Sequence, residues 1–233
     1  MPQGKNSSTM GKDDLCILFP VDIDESTEVL LPSARQMREM GVGEVRLLHV
    51  VHPIDALAVP DLIDQRQEIL RTYRHKLIDF GIPIVRGEVV IGTPWVEIAE
   101  RARSTDIAFV LMGSQGKGLL QRIFLGSQTE NVLYHTNRSL FILRLHMEGD
   151  QYRLAQEQLF THILYATDLS DGSRRGIPLL ERMAHSSGQL TIAHVEDVRH
   201  LEYASPDTLQ EMRTRADKEL GAFKEKFLER GFG

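Results

Sequence analysis

The stretch IAFVLMGSQGKGLLQRIFLGSQTE, residues 107–130, predicts how this chain folds and where it binds a ligand. It opens with an apolar run, Ile107 to Met112, which has the length and composition of a strand buried on both faces. Three glycines follow, and from Ser127 the sequence takes on the pattern of a helix. The segment is therefore predicted to form a strand, a glycine-bearing loop and the start of a helix.

A helix that starts after a glycine-bearing loop is a favourable place for an anion. Backbone N–H groups at a helix N-terminus lack a partner within the helix, and that end carries a partial positive charge. Glycines let a ligand lie against the main chain because they have no Cβ atom. Ser127 and Thr129 add hydroxyl donors. The segment predicts a phosphate cradle for a nucleotide, and a ligand-free glycine-rich turn is the alternative.

The spacing of the glycines separates this segment from two common nucleotide motifs. A P-loop needs Ser or Thr after its lysine, but Lys117 is followed by glycine, and the dinucleotide motif G-x-G-x-x-G does not occur here. The spacing that does occur is G-x2-G-x9-G-[ST], formed by Gly113, Gly116, Gly126 and Ser127. After an apolar strand, this pattern resembles the ATP-binding signature of the universal stress protein family.

Composition and charge exclude several classes of protein. The net charge of −6, without a long basic run, gives no reason to expect binding to nucleic acid or to a membrane surface. A single cysteine, Cys16, excludes a disulfide within the chain and is consistent with a reducing compartment. No apolar run approaches the ~20 residues of a membrane span. Residues 1–13 are predicted to be a disordered tail without a signal peptide's apolar centre, and the protein is predicted to be cytoplasmic.

Strand-like and helix-like segments alternate along the first two thirds of the chain. Apolar strand-like runs occur at residues 15–21, 45–51, 84–91, 107–112 and 140–145. Between the first two runs, Ser26 is predicted to cap a helix that ends at Gly41. After the second run, Pro60 is predicted to start a longer helix. Such alternation predicts an α/β fold with a parallel sheet covered on both faces. Its ligand site is expected at the carboxyl ends of strands one and four, beside Asp22 and Gly113.

The second part of the chain repeats the first. Residues 163–170, ILYATDLS, follow the order of residues 17–24, ILFPVDID, and residues 190–195, LTIAHV, follow residues 45–50, VRLLHV. The arrangement resembles a tandem universal stress protein whose second domain is reduced to a β-α-β-α half repeat. The predicted organisation is a tail over residues 1–13, a complete domain over 14–147, a linker over 148–160 and an incomplete domain over 161–233.

The resemblance implies a five-stranded parallel sheet of order 3-2-1-4-5 that binds ATP or AMP. Asp22 would contact the ribose or a Mg²⁺ ion, and the main chain near Val50 would meet the adenine. The nucleotide-binding residues that it implies are Pro20, Val21, Asp22, Val50, Met112, Gly113, Gly116, Gly126, Ser127, Gln128 and Thr129. One departure is Asp24, which stands where the family often has Ser. A second carboxylate weakens phosphate binding unless Mg²⁺ or a cation such as Lys117 or Arg122 offsets it.

The resemblance also implies a role and a partner. The chain is predicted to be a nucleotide-binding stress protein with a regulatory or sensing role, not primarily a catalyst. The alternatives are a slow Mg²⁺-dependent ATP hydrolase and a nucleotide-free interaction module. Because strand five would be an exposed apolar sheet edge, a homodimer is predicted across residues 140–145. His49 and His194 stand at equivalent strand positions and are predicted to be structural.

Overall fold

The computed structural model describes residues 14–115, 127–183, 188–195 and 205–232, and it divides into two compact units, Met1–Glu157 and Gln158–Gly233. The strands of the first unit are β1 (Leu15–Pro20), β2 (Val42–Val51), β3 (Ile84–Ile91), β4 (Ile107–Gln115), β5 (Ser139–Glu148) and β6 (Gln151–Leu154). Their order in the sheet is β3-β2-β1-β4-β5-β6. β1 to β5 are parallel to one another, which confirms the predicted order 3-2-1-4-5.

The sixth strand was not predicted, because it lies in the segment interpreted as a linker. β6 pairs antiparallel with β5, with Leu154 opposite Leu145 and Gln151 opposite Glu148. The two strands are joined by Gly149 and Asp150, and Gly149 has a φ of 62°. A glycine with positive φ at the first position of a two-residue loop is typical of a tight hairpin turn. The predicted linker therefore begins with a hairpin that covers one end of the β5 edge.

Helices cover both faces of this sheet. They are α1 (Glu25–Leu30), α2 (Ala34–Glu39), α3 (Pro53–Ala58), α4 (Leu62–Asp79), α5 (Pro94–Ala102) and α6 (Ser127–His135). α5 and the sheet enclose a core that includes Leu18, Leu48 and Val110. Burying each of these side chains contributes about 1.5–3 kcal/mol relative to exposure. This core fixes the strand ends that line the candidate site.

Two helix starts differ from the sequence-based prediction. Asp24, rather than Ser26, caps α1, since its carboxylate accepts hydrogen bonds from the backbone N–H groups of Ser26 and Thr27. The predicted single helix is divided into α1 and α2 by a 3-10 turn, Leu31–Ser33. Pro32 lies in that turn and has no N–H to continue an α-helical ladder. The helix predicted from Pro60 begins at Leu62, after the separate short helix α3.

The second unit has the predicted β-α-β-α order. Its described elements are β7 (His162–Thr167), α7 (Asp171–Arg174), α8 (Ile177–Met183), β8 (Gln189–His194) and α9 (Pro206–Glu229), so the first helical segment is divided in two. β7 and β8 form a two-stranded parallel sheet. Tyr165 makes edge-to-face contacts with Phe223 and Phe227 of α9, so the unit has an aromatic core of its own. Among the described residues of both units, no helix has the length and apolar character needed to span a membrane.

Candidate functional site

A cavity lies where the winding of the first sheet reverses. β1 pairs with β2 on one side and with β4 on the other, so the carboxyl ends of β1 and β4 are adjacent. Open parallel sheets bind ligands at such points. The cavity has a volume of about 330 Å³. It is lined by Pro20, Val21, Asp22, Ser26, Thr27, Leu30, Leu48, Val50, Pro94, Ile98, Met112, Gly113, Ser114, Ser127, Gln128, Thr129 and Leu145.

One part of the wall carries hydroxyl groups and a helix start. The side chains of Ser26, Thr27, Ser114 and Thr129 are buried and belong to α1, β4 and α6. α6 begins at Ser127 with its first three residues on the cavity. Because the first N–H groups of a helix have no intrahelical partner, this wall offers donors and a positive dipole end to an anion.

Another part of the wall is apolar. Leu48, Ile98 and Met112 are buried in the core between the sheet and α5, and Val50 packs against that core while partly exposed. Pro94, the first residue of α5, completes this surface. An apolar wall next to a few polar groups is the usual composition of a small-molecule site. The cavity thus offers one surface to an aromatic ring and another to an anionic group.

Gly113 has a packing role that the sequence did not reveal. A Cβ atom at this position would lie 2.7 Å from Cδ1 of Leu30 and 3.7 Å from Cδ1 of Leu145. The first distance is shorter than carbon atoms tolerate, so a side chain here would displace Leu30 of α1. Gly113 therefore allows α1 to approach β4, in addition to lining the cavity.

Asp24 serves the helix rather than the cavity. Its Oδ1 atom is 3.0 Å from the backbone N of Ser26 and 3.2 Å from that of Thr27. A carboxylate at this position satisfies two free N–H groups and interacts favourably with the helix dipole. Asp24 is not among the residues that line the cavity. Its charge is still close enough to affect Asp22.

Asp22 is the ionisable side chain that the described part of the cavity wall presents to a ligand. Partial burial raises the pKa of the Asp22 carboxyl above its ordinary value, and the nearby Asp24 carboxylate raises it further. His49 acts in the opposite direction. The backbone carbonyl of Asp22 accepts a hydrogen bond from the Thr27 hydroxyl, which holds the residue at the end of β1. An anion placed here meets a carboxylate that is less acidic than usual.

The histidines at equivalent strand positions have the structural role that the sequence predicted. His49 Nδ1 lies 2.8 Å from the carbonyl oxygen of Val21, and His194 Nδ1 lies 2.9 Å from that of Thr167. Burial lowers the pKa of His49, so the neutral ring donates its Nδ1–H to the carbonyl. The Val21 N–H in turn donates to the carbonyl of Leu48 at 2.9 Å. Each histidine thus ties the first strand of its unit to the second.

The structure brings most of the predicted site residues to one cavity. Nine of them line it, namely Pro20, Val21, Asp22, Val50, Met112, Gly113, Ser127, Gln128 and Thr129. Gly116 and Gly126 lie outside the described residues, as do Lys117 and Arg122. Their assignment to a nucleotide remains a prediction.

Sequence reasoning missed Ser26, Thr27 and Ser114, whose hydroxyl-bearing side chains are buried in the cavity wall. Ser114 follows Gly113 directly, which was an available signal. Ser26 and Thr27 lie in the first turn of α1, which Asp24 caps. Among the described residues, no group of three or more His, Cys, Asp or Glu side chains could hold a metal ion.

Comparison with known proteins gives one family. The sequence model of the universal stress protein family matches residues 16–144. The chain is 28% identical over 152 residues to universal stress protein MJ0577 of Methanocaldococcus jannaschii, covering 55% of this chain and 93% of that protein. A universal stress protein structure from Archaeoglobus fulgidus matches 89% of this chain and 74% of its own, with a TM-score of 0.61 and 24% identity. Another from Archaeoglobus fulgidus, solved in complex with dAMP, matches 55% of this chain and 96% of its own, with a TM-score of 0.43 and 20% identity.

Proposed function

Because this chain belongs to the universal stress protein family, we propose that it binds ATP or AMP in the cavity beside Asp22. In this proposal the protein is cytoplasmic and has a regulatory or sensing role in a stress response. The observation that carries the proposal is that an apolar surface and a helix N-terminus both line one cavity at the sheet's switch point. A nucleotide has an aromatic base at one end and phosphates at the other, which matches those two surfaces.

The residues present fit the two ends of the ligand. The adenine would lie against Val50 and Ile98, and the phosphates would lie at the start of α6, beside Ser127 and Gln128. The predicted donors at Gly116 and Gly126 would belong to the same end of the ligand. Asp22, near the ribose, would also hold a Mg²⁺ ion that neutralises phosphate charge.

The negative charge of the cavity wall predicts the relative affinities of ATP and AMP. Asp22 is an acidic group in the described cavity wall, and a phosphate close to it is repelled unless a cation intervenes. ATP carries more negative charge than AMP, so Mg²⁺ should strengthen ATP binding more than AMP binding. In the absence of Mg²⁺, binding of either ligand should also tighten as pH falls through the raised pKa of Asp22.

A direct test is to denature the purified protein and look for adenine absorbance and a nucleotide mass in the supernatant. Titration calorimetry with AMP, dAMP, and ATP with and without Mg²⁺ then gives the affinities. The variant Gly126→Val should lose binding while keeping the fold, since it adds a side chain where the phosphates approach. The matched control is Gly221→Val, because the Cβ position of Gly221 has no atom within 4 Å. Equal affinity in wild type and Gly126→Val would reject the site assignment.

Two alternative functions make different predictions. A slow Mg²⁺-dependent ATP hydrolase would release ADP at a rate that Asp22→Ala abolishes. A nucleotide-free interaction module would show no adenine in the supernatant and no heat with any of the nucleotides. We favour nucleotide binding without efficient catalysis, because the described cavity wall presents one carboxylate and no partner base for it.

The predicted homodimer through residues 140–145 remains a proposal, but the structure narrows it. Leu145 already pairs with Leu154 of β6, and the carbonyl of Arg144 accepts a hydrogen bond from the Ala155 N–H at 2.8 Å. The part of the β5 edge left for a partner is therefore residues 139–143. Sedimentation of an Ile142→Glu variant tests it, since a buried charge in that interface should abolish association through β5.

A further inference from the structure

β3 forms the other edge of the first sheet. All eight of its residues pair with β2, from Ile84 opposite Glu44 to Ile91 opposite Val51. In the described sheet order it has no neighbour on its outer side. An edge strand of this length presents a row of unpaired backbone groups to another strand. Unlike the β5 edge, it is not shortened by an added hairpin.

The sequence of this edge is complementary to itself. Around Gly87 it reads Val85-Arg86-Gly87-Glu88-Val89. If a second copy pairs antiparallel with Gly87 opposite Gly87, then Arg86 faces Glu88 of the partner subunit and Val85 faces Val89 of the partner subunit. Opposite charges and apolar pairs directly across two strands stabilise a sheet.

The same two charges disfavour other registers. Sliding the strands by two residues places Arg86 opposite Arg86 in one direction and Glu88 opposite Glu88 in the other. Like charges directly opposite are destabilising. A slip of one residue would place side chains that face the core of one copy opposite side chains that face solvent in the other. The edge therefore selects one register with itself, and charged side chains of this kind also deter foreign strands.

On one face of the sheet, the charges have partners but remain accessible. Arg86 Nε lies 3.1 Å from Oε1 of the buried Glu44, while the Arg86 side chain is 71% exposed. Glu88 accepts two hydrogen bonds from Arg101, each of 2.8 Å, and its side chain is 55% exposed. Self-pairing would join these ion pairs of the two copies into one network. Networks of charges contribute more than isolated surface pairs.

On the other face, a groove runs between the β3 edge and α4. Its volume is about 570 Å³, and α4 contributes Gln67, Leu70, Arg71 and Arg74 to it. The Cβ position of Gly87 lies 3.0 Å from Leu70, so a twofold axis at Gly87 places the middle of α4 opposite the middle of α4 of the partner.

We propose that β3 is a homodimer interface, in which two copies join antiparallel about Gly87 to form one continuous sheet. This interface is on the opposite edge from residues 139–143 and does not depend on nucleotide binding. Its partner is a second copy of this chain, because the register that satisfies the charges of β3 is the register with itself.

The first experiment uses cysteine cross-linking. The natural Cys16 is buried, and burial raises the pKa of its thiol to about 12, so Cys16 should not form cross-links under mild oxidation. The double variant Val85→Cys/Val89→Cys places a thiol opposite a thiol of the partner twice, whereas each single variant places a thiol opposite valine. Mild oxidation should convert most of the double variant to a covalent dimer and little of either single variant. No cross-linked dimer, or equal cross-linking in the single variants, would overturn the proposal.

The second experiment measures association without cross-links. Arg86→Glu places like charges across the interface and should weaken dimerisation at least tenfold in sedimentation, while circular dichroism confirms the fold. Arg86→Glu/Glu88→Arg should recover much of the loss. The matched control is Arg153→Glu on β6, at the opposite edge of the sheet. A wild type that is monomeric throughout, or a dimer lost in Arg153→Glu and kept in Arg86→Glu, would reject this interface.

Discussion

Asp22 and Asp168 occupy equivalent positions in the two halves of the repeat. Each lies just after the first strand of its unit, β1 or β7, and shortly before a helix. Their pKa values move in opposite directions. Burial and the Asp24 carboxylate raise the pKa of Asp22, whereas hydrogen bonds from Ser170 and Ser173 lower the pKa of Asp168 to about 2. Asp168 is fully exposed. One repeated sequence thus gives a partly desolvated acid beside a second carboxylate in the first unit, and a fully exposed acid that accepts hydrogen bonds in the second.

The first strands of the two units, β1 and β7, also differ in how deeply they are buried. Leu18 in β1 is 2% exposed, while Leu164, its counterpart in β7, is 65% exposed. In the first unit the strand is flanked by β4 and covered by α5, and the described second unit has two strands. The comparison shows that the local sequence sets the backbone, while burial and charge state depend on the elements that surround it.

The largest expected difference between the units is in core packing. Leu18→Ala should lower the free energy of unfolding by about 3 kcal/mol, because it leaves a cavity in a close-packed core. Leu164→Ala should cost less than about 0.5 kcal/mol, since the side chain is exposed. Urea unfolding of the two variants measures both values. Similar losses would show that Leu164 is covered in solution.

The next effect concerns the close approach of α1 to β4. Gly113→Ala should cost about 1–3 kcal/mol, because its methyl group would meet Leu30 at 2.7 Å. Gly113→Ala/Leu30→Ala should be less unstable than the sum of the two single variants, since the shortened side chain makes room. Gly221→Ala in α9 is the control and should be neutral or stabilising, because nothing lies within 4 Å of its Cβ position. Additive losses in the double variant would contradict the contact.

The two aspartates should respond oppositely to neutralisation. The raised pKa of Asp22 means that the folded state binds its proton more tightly than the unfolded state, so this group's contribution to stability falls as pH rises through that pKa. Asp22→Asn should therefore raise stability at pH 7.

The folded-state pKa of Asp168 is lowered to about 2, so this group's contribution to stability is present above its unfolded pKa. That contribution is lost as pH falls through about 2. Asp168→Asn should therefore lower stability at pH 7. Urea midpoints between pH 3 and pH 8 check both signs, and shifts of the same sign would refute the contrast.

The smallest expected effect on stability comes from exchanging the residues beside the two aspartates, which tests what causes their opposite pKa shifts. Asp24→Ser makes the first unit resemble the second at this position, and it keeps a residue that can cap α1. Removing the second carboxylate should lower the pKa of Asp22 with little change in stability. Ser170→Asp should raise the pKa of Asp168, since it replaces a hydrogen-bond donor with a like charge. Carboxyl resonances followed by NMR across the titration give both values. An unchanged Asp22 pKa in Asp24→Ser would assign the shift to burial alone.

Much of the fold could be predicted because its signals are local. Apolar runs and helix-like segments alternate, and glycines end the helices at Gly41 and Gly81 with φ values of 92° and 100°. The candidate site could also be predicted in part, since the end of β1 and the residues around Gly113 meet at a switch point fixed by the strand order. β6 was not predicted, because its four residues, QYRL, carry no strong strand pattern.

The sequence by itself determined the order of strands and helices, the repeat, and the residues that come to the carboxyl ends of β1 and β4. These follow from periodicity and from glycine and proline positions, which act over a few residues. Only the tertiary structure decided that Asp24 caps α1, that Leu30 fills the space beside Gly113, and that β6 closes part of the β5 edge. Each depends on atoms brought together by packing. The pKa difference between Asp22 and Asp168 has the same origin, because desolvation is a property of surroundings and not of sequence position.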